Sequence, residues 1–242
     1  MPELAGAVVL RQSGGVVVCL KSGLYTFDPD AGLRGPIYTF EGDHPEDRTN
    51  DSRCDRLGRL WYSRMRDFGR AETGAIYRLD STLQPVRMIS GLRVPNAICF
   101  SSTGDRVYFA DTPTGVLEVA DLYSASDTPS NRRLLLPADS AAGKPDGATV
   151  DAEGYIWNAR FGGGCLIRCA PDGKIDTIIE LPVSQPTSCS FGGKNLDRLF
   201  VTTATQGLAP DLLAREPLAG ALLVIEPGVK GVEEYAFCDL RS

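Results

Sequence analysis

A chain of 242 residues, 43% hydrophobic and 23% charged, has ordinary globular composition and ample length to bury the core of one domain spanning residues 1–242. Its net charge of −6 comes from 31 acidic and 25 basic residues scattered without a basic stripe, which argues against nucleic acid as a partner. No run approaches the roughly 20 apolar residues of a membrane span, and Glu3 stands where a signal peptide would carry positive charge. The chain as given is therefore expected to be cytoplasmic, off the membrane, and a monomer or weak homo-oligomer.

Taken from the N-terminus, helical periodicity is scarce, and short β-branched and aromatic runs punctuated by Gly, Asp and Pro recur to the end. One unit places a polar turn with Gly or Asp ahead of an apolar strand, at residues 13–18, 55–61, 102–108, 151–157 and 195–200. With Val18, Trp61, Tyr108, Trp157 and Phe200 taken as equivalent, the steps are 43, 47, 49 and 43 residues. A second unit follows the first each time, Gly running into an apolar strand at Gly23, Gly74, Gly115, Gly164 and Gly220. Two coupled strand signals per period describe the four-stranded blade of a β-propeller, with hairpins between strands. A β-sandwich has no reason to keep two markers in step through five periods. The first unit starts almost at Met1 with no strand expected ahead of it, which reads as a ring truncated at its N-terminus.

The seven cysteines, Cys19, Cys54, Cys99, Cys165, Cys169, Cys189 and Cys238, include no C-x-x-C pair, and several sit inside apolar runs, as reduced core thiols do. His44 is the only histidine and falls in a polar stretch, so a histidine-based nucleophilic triad is excluded. Phe161-Gly162-Gly163-Gly164 lacks the Lys and helix of a phosphate-cradling loop.

A propeller gathers polar residues from different blades at its channel mouth. Three segments, Arg48-Thr49-Asn50-Asp51, Pro95-Asn96-Ala97 and Pro145-Asp146-Gly147, each precede a strand of the first unit at the same phase of the repeat. Asn and Asp are hard oxygen donors suited to Ca²⁺, Mg²⁺ or Mn²⁺, and a carboxylate also suits Zn²⁺. Singly, each segment reads more readily as turn chemistry; recurrence at one phase is what favours a site.

These motifs, together with Leu10-Arg11-Gln12-Ser13-Gly14-Gly15, Tyr108-Phe109-Ala110-Asp111, Pro186-Thr187-Ser188-Cys189-Ser190-Phe191-Gly192-Gly193 and Glu216-Pro217-Leu218-Ala219-Gly220, resemble the regucalcin/gluconolactonase family across nearly the whole chain. The resemblance implies an all-β protein of the six-bladed propeller type, with about five blades represented in this chain. It implies one divalent cation (Ca, Zn, Mg or Mn) held by Asn96 and Asp146, with Asp146 also the base, and Arg48 and Asn50 contacting the substrate. The activity implied is metal-dependent hydrolysis of a sugar lactone; a non-catalytic, cation-binding or interaction propeller is the alternative. The chain departs from the family pattern in three places. It has no Gly-Glu-x-Pro-x-Trp segment, which in the family supplies a metal-binding Glu, and Glu3 lacks such neighbours. Ala97 stands where Gly is usual, and Ser63-Arg64-Met65 replaces Gly-Thr-Met or Gly-Ser-Met, which places a cation near the expected channel.

Overall fold

The computed structural model describes residues 1–42, 44–67, 71–123 and 128–239. Among them, nineteen strands form five antiparallel sheets arranged as the blades of a β-propeller. Blade one comprises β1 (Ala5–Leu10), β2 (Val16–Leu20), β3 (Gly23–Asp28) and β4 (Gly32–Thr39); blade two comprises β5 (Asp47–Cys54), β6 (Leu60–Arg66), β7 (Gly74–Leu79) and β8 (Val86–Leu92). Blade three holds β9 (Pro95–Phe100), β10 (Arg106–Asp111), β11 (Val116–Asp121) and β12 (Ser130–Leu136). In blade four are β13 (Lys144–Val150), β14 (Ile156–Phe161), β15 (Cys165–Cys169) and β16 (Ile175–Glu180). Blade five has three strands, β17 (Pro186–Gly192), β18 (Arg198–Thr203) and β19 (Leu222–Ile225), with the short helix α1 (Pro210–Arg215) between the last two. Consecutive strands pair in every blade, and the first strands of the blades, β1, β5, β9, β13 and β17, neighbour one another in succession around the channel.

The first repeated unit is the turn into the second strand of each blade, so Val18, Trp61, Tyr108, Trp157 and Phe200 lie on β2, β6, β10, β14 and β18. The reason is visible at two of the five turns. Asp55 accepts the backbone N–H groups of Leu57 and Arg59 on one carboxylate oxygen and the Trp61 indole N–H, at 2.9 Å, on the other. Asp151 does the same for Glu153, Tyr155 and Trp157. The intervening Gly58 and Gly154 adopt φ of +73° and +84°, where a side chain would be strained. An Asp, a Gly three residues on and a Trp six residues on thus describe one folded device.

In one respect the expectation is corrected: blade one is complete, because β1 precedes the first repeat, and the blade with three strands is the fifth. The apolar run from Ala5 to Leu10 supplies that strand. Each of the four hydrophobic clusters fills one seam between successive blades: Tyr62 and Leu24 between one and two, Trp61 and Phe100 between two and three, Tyr108 and Ile156 between three and four, Trp157 and Phe191 between four and five.

A strap, residues 226–239, leaves β19 and crosses the end of the channel. Gly231 bridges to Asp151 of blade four, Glu234 pairs with Arg53 of blade two, and Phe237, fully buried, bridges to Arg11 beside blade one. Its last described residue, Asp239, accepts from Arg11 and Ser13. All seven cysteines are free; six are buried as expected, and Cys238, on the strap, is exposed.

Candidate functional site

The first strand of every blade is interrupted by a register shift near the same end of the channel. In β5 the shift falls between Thr49 and Ser52, in β13 between Pro145 and Ala148, in β17 between Pro186 and Ser188, and in β9 across the residues between Asn96 and Cys99. A bulge takes residues out of the ladder, bends the strand and re-aims side chains. The residues set free are Asn50 and Asp51, Ala97 and Ile98, and Asp146 and Gly147. The three polar segments expected ahead of strands therefore lie within strands. Turn-forming residues suit both settings, since Ala97 takes φ +57° in its bulge and a Cβ at Gly147 would meet the Ser188 hydroxyl at 2.2 Å.

The bulges bring three of the four expected residues onto one cavity, and Arg48, which does not line it, is hydrogen-bonded to one of them. Asn50, Asn96 and Asp146 line one cavity of about 690 Å³. Arg48 stands behind Asn50, donating from Nη1 to the Asn50 Oδ1 at 2.8 Å and from Nε to the Asp67 carboxylate at 2.6 Å. Its Nη2 has no hydrogen-bond partner among the described residues. Asn50 donates to the Pro95 carbonyl at 3.2 Å, which ties the blade-two bulge to the strand carrying Asn96. Asn96, buried, donates to Thr112 Oγ1 at 3.0 Å, and Thr112 in turn donates to the Pro145 carbonyl at 2.8 Å. Asn96 and Asp146 both line the cavity.

Two carboxyls of the site, Asp146 and Asp51, are shifted toward the protonated form. Burial, reinforced by the like charge of Asp51, pushes the Asp146 carboxyl up to about 8, against the smaller opposing effects of the Gly147 N–H, Asn96 and the Arg48 charge. Asp51 is itself raised, again chiefly by burial. The sequence reading considered it only as a carboxylate that could take the place of the missing metal-binding Glu. The Asp51 carboxylate accepts the Ile98 N–H at 2.7 Å, the amide that the β9 bulge releases, and the Ser52 N–H at 2.8 Å. Asp67, the Arg48 partner, was passed over. Adjacency to Asn50 at the same phase of the repeat was the available signal for Asp51; nothing local marks Asp67, which meets Arg48 only across the β5–β6 pair.

Arg64 stacks over Phe40, 4.0 Å from the ring centroid, and is not among the residues that line the cavity. Ser63 takes the inward place instead, fully buried, donating to the Asp51 and Pro95 carbonyls and accepting the Asp51 N–H at 2.8 Å. Glu3 accepts from Ser22 in the turn after β2 and does not line the cavity. His44 is exposed. Cys189 lines the cavity, but burial pushes its thiol up to about 12, which rules out a thiolate nucleophile at neutral pH.

Among the described residues no three His, Cys, Asp or Glu side chains cluster as a metal site. The donors that do converge, the Asn96 amide and the Asp146 carboxylate, are hard oxygens. The like charge of Asp51 and the burial that keep Asp146 from ionising are the penalties that a cation beside it would offset, so the residues present fit a hard divalent cation.

Residues 1–205 match the family described as SMP-30/Gluconolactonase/LRE-like region. A 6-deoxy-6-sulfogluconolactonase of Pseudomonas putida is 33% identical over 238 residues, covering 98% of this chain and 81% of that protein. A putative sugar lactone lactonase of Rhizobium meliloti (strain 1021) is 35% identical, covering 98% and 80% respectively. The crystal structure of regucalcin, a calcium-binding protein from Agrobacterium tumefaciens, superposes with a TM-score of 0.89 at 29% identity, covering 98% of this chain and 80% of that one.

Proposed function

Since the chain belongs to the SMP-30/gluconolactonase/LRE-like family, we propose that it hydrolyses a sugar lactone in a cation-dependent reaction at the Asn50, Asn96 and Asp146 cavity. The observation that carries this reading is the meeting of Asn50, Asn96 and Asp146 on one cavity, where three bulged first strands aim them together.

In the proposed reaction Arg48, through its spare Nη2, and Asn50 hold oxygens of the lactone ring and its hydroxyls. Asn96 and Asp146 would hold the divalent cation, which supplies Lewis-acid polarisation of the lactone carbonyl. Asp146 takes a proton from the attacking water as the water oxygen bonds to the carbonyl carbon. The bond from that carbon to the ring oxygen then breaks, and the proton passes from Asp146 to the released alkoxide, giving the hydroxy acid. Asp51 keeps the β9 bulge in place, so Asn96 stays beside Asp146. No thiol or imidazole is required.

The similarity to a calcium-binding regucalcin supports a second reading, cation binding without turnover. One experiment separates the two. Gluconolactone hydrolysis is followed with Ca²⁺, Mn²⁺ or Zn²⁺ and with excess chelator, alongside calorimetric titration of the same cations. Cation-dependent turnover that Asp146→Ala abolishes is the expected result. Binding without turnover on any aldonolactone tried would select the second reading, and turnover unaffected by chelator would remove the cation from the reaction.

A further inference from the structure

Blade four contains a buried polar pair that nothing in the reaction above uses. Asn158 and Arg160, alternate residues of β14, are both fully buried. Across from them, β13 loses its ladder register between Pro145 and Ala148, which leaves the carbonyls of Asp146 and Gly147 outside the strand pairing. Asn158 donates its side-chain amide to both, at 2.9 Å to Asp146 and 3.2 Å to Gly147. Arg160 donates to the carbonyls of Ala142 at 3.1 Å, Gly143 at 3.0 Å and Ala141 at 3.3 Å, and its Nη1 lies 3.5 Å from the Asn158 Oδ1.

Two features set this pair apart from ordinary core. No carboxylate lies within 4.0 Å of the Arg160 guanidinium among the described residues, so a cation is buried against neutral carbonyls alone, an arrangement that costs stability when compared with an apolar residue of the same volume. The amide of Asn158 has one usable orientation, because its nitrogen must face carbonyls on one side and its oxygen a guanidinium on the other. In blade two the corresponding bulge is held differently, by the Ser63 hydroxyl on the Asp51 backbone and by Arg48 on the Thr49 carbonyl. In blade four two fully buried polar side chains lie beneath the residue that the reaction needs held to a fraction of an ångström.

We infer that Asn158, oriented by Arg160, is a positioning residue that fixes the β13 bulge and so the direction in which Asp146 enters the cavity. The inference rests on the role given above to Asp146. Asn158 touches no substrate; it acts through the backbone on either side of the Asp146 side chain.

The test compares wild type with Asn158→Leu, which keeps the volume and removes both donors, and Asn158→Ser, which keeps one shorter donor at the same position. Amide hydrogen exchange is read residue by residue along β13, with gluconolactone kcat and KM, and Mn²⁺ affinity, measured on the same samples. Asn158→Leu is expected to speed exchange at Asp146 and Gly147 by about tenfold or more while Thr149 and Val150 keep wild-type rates. It should lower kcat by about 10- to 100-fold with KM within about twofold, and weaken Mn²⁺ binding by about tenfold. Asn158→Ser is expected to fall between the two in each measurement. Unchanged exchange at Gly147, a uniform rise across blade four, or equal losses for Ser and Leu would each overturn the positioning role. If wild type turns over no lactone, the reading of the reaction fails, while exchange and Mn²⁺ affinity still decide the role of Asn158.

Discussion

Replacing Asp146 by Asn tests the site through stability as well as activity, and the two effects have opposite sign. The carboxyl is raised from 3.8 to about 8 in the folded chain, chiefly by burial and next by the Asp51 charge. Between those values the folded state holds a proton that the unfolded state has released, so the cation-free protein loses stability as pH rises from about 4 to about 8. At about 1.4 kcal/mol per pKa unit the penalty at pH of about 7.5 has a ceiling near 5 kcal/mol. Asp146 is only half-buried and reaches the cavity, so solvent screening brings this to about 2 to 3 kcal/mol, and to about 1 kcal/mol at pH of about 5. Asn keeps the shape but carries no charge. In urea unfolding with excess chelator, Asp146→Asn should be more stable than wild type by about 2 to 3 kcal/mol at the higher pH, and the gap should shrink to about 1 kcal/mol at the lower. Its lactone turnover should fall by about 100-fold or more, the usual worth of a general base. Equal unfolding midpoints at both pH values, or unchanged turnover, would refute the argument that this carboxylate is held under strain for use.

Asn96→Ala is expected to weaken cation binding by about tenfold or more, with part of the turnover restored at saturating cation, as read by calorimetry and by rate against cation concentration. Arg48→Met should raise KM for the lactone by about tenfold and change kcat less, since the guanidinium is assigned to binding rather than to bond making; a fall in kcat at constant KM would contradict that assignment. Phe237→Ala, which empties a fully buried site on the strap, should cost about 3 to 5 kcal/mol in denaturant unfolding and leave the bulges around Asp146 in place. Asp151→Ala leaves the Trp157 indole N–H and the buried Arg168 guanidinium without their shared acceptor, and should cost at least about 3 kcal/mol.

The blades were legible because the signals that define them are local. Asp55, Gly58 and Trp61 lie within seven consecutive residues, and the carboxylate, the left-handed glycine and the indole meet without help from the rest of the chain. Asn50, Asn96 and Asp146 were legible as a group because each sits at the same phase of its repeat. Their setting was not. Asn-Asp, Asn-Ala and Asp-Gly read as turns, and a turn and a bulge ask for the same backbone freedom, so only the pairing of β13 with β14 reveals that Asp146 belongs to a strand. Asp67 and Asn158 were invisible for another reason: each acts on a residue across a hairpin, at 19 and 12 positions' remove, and neither residue type is unusual where it stands. The strap carries no alternating pattern because residues 232–236 form no strand; Glu234 and Tyr235 find their partners on blades two and four.

That strap has a consequence for how the chain comes to be folded. Within each blade every strand pairs with its neighbour in sequence, so most hairpins close over short loops, and the longer connection between β18 and β19, which holds α1, still joins neighbours in one blade. The strap is the exception: Glu234 meets Thr149 across 85 residues and Arg53 across 181, and Asp239 meets Arg11 across 228. Contacts of such separation form last, once blades one, two and four already exist to receive them. Interactions absent from the transition state act on the unfolding rate and leave the folding rate nearly untouched. Residues 226–239 are therefore a latch on the lifetime of the native chain, and weakening them shortens that lifetime without slowing the assembly of the blades.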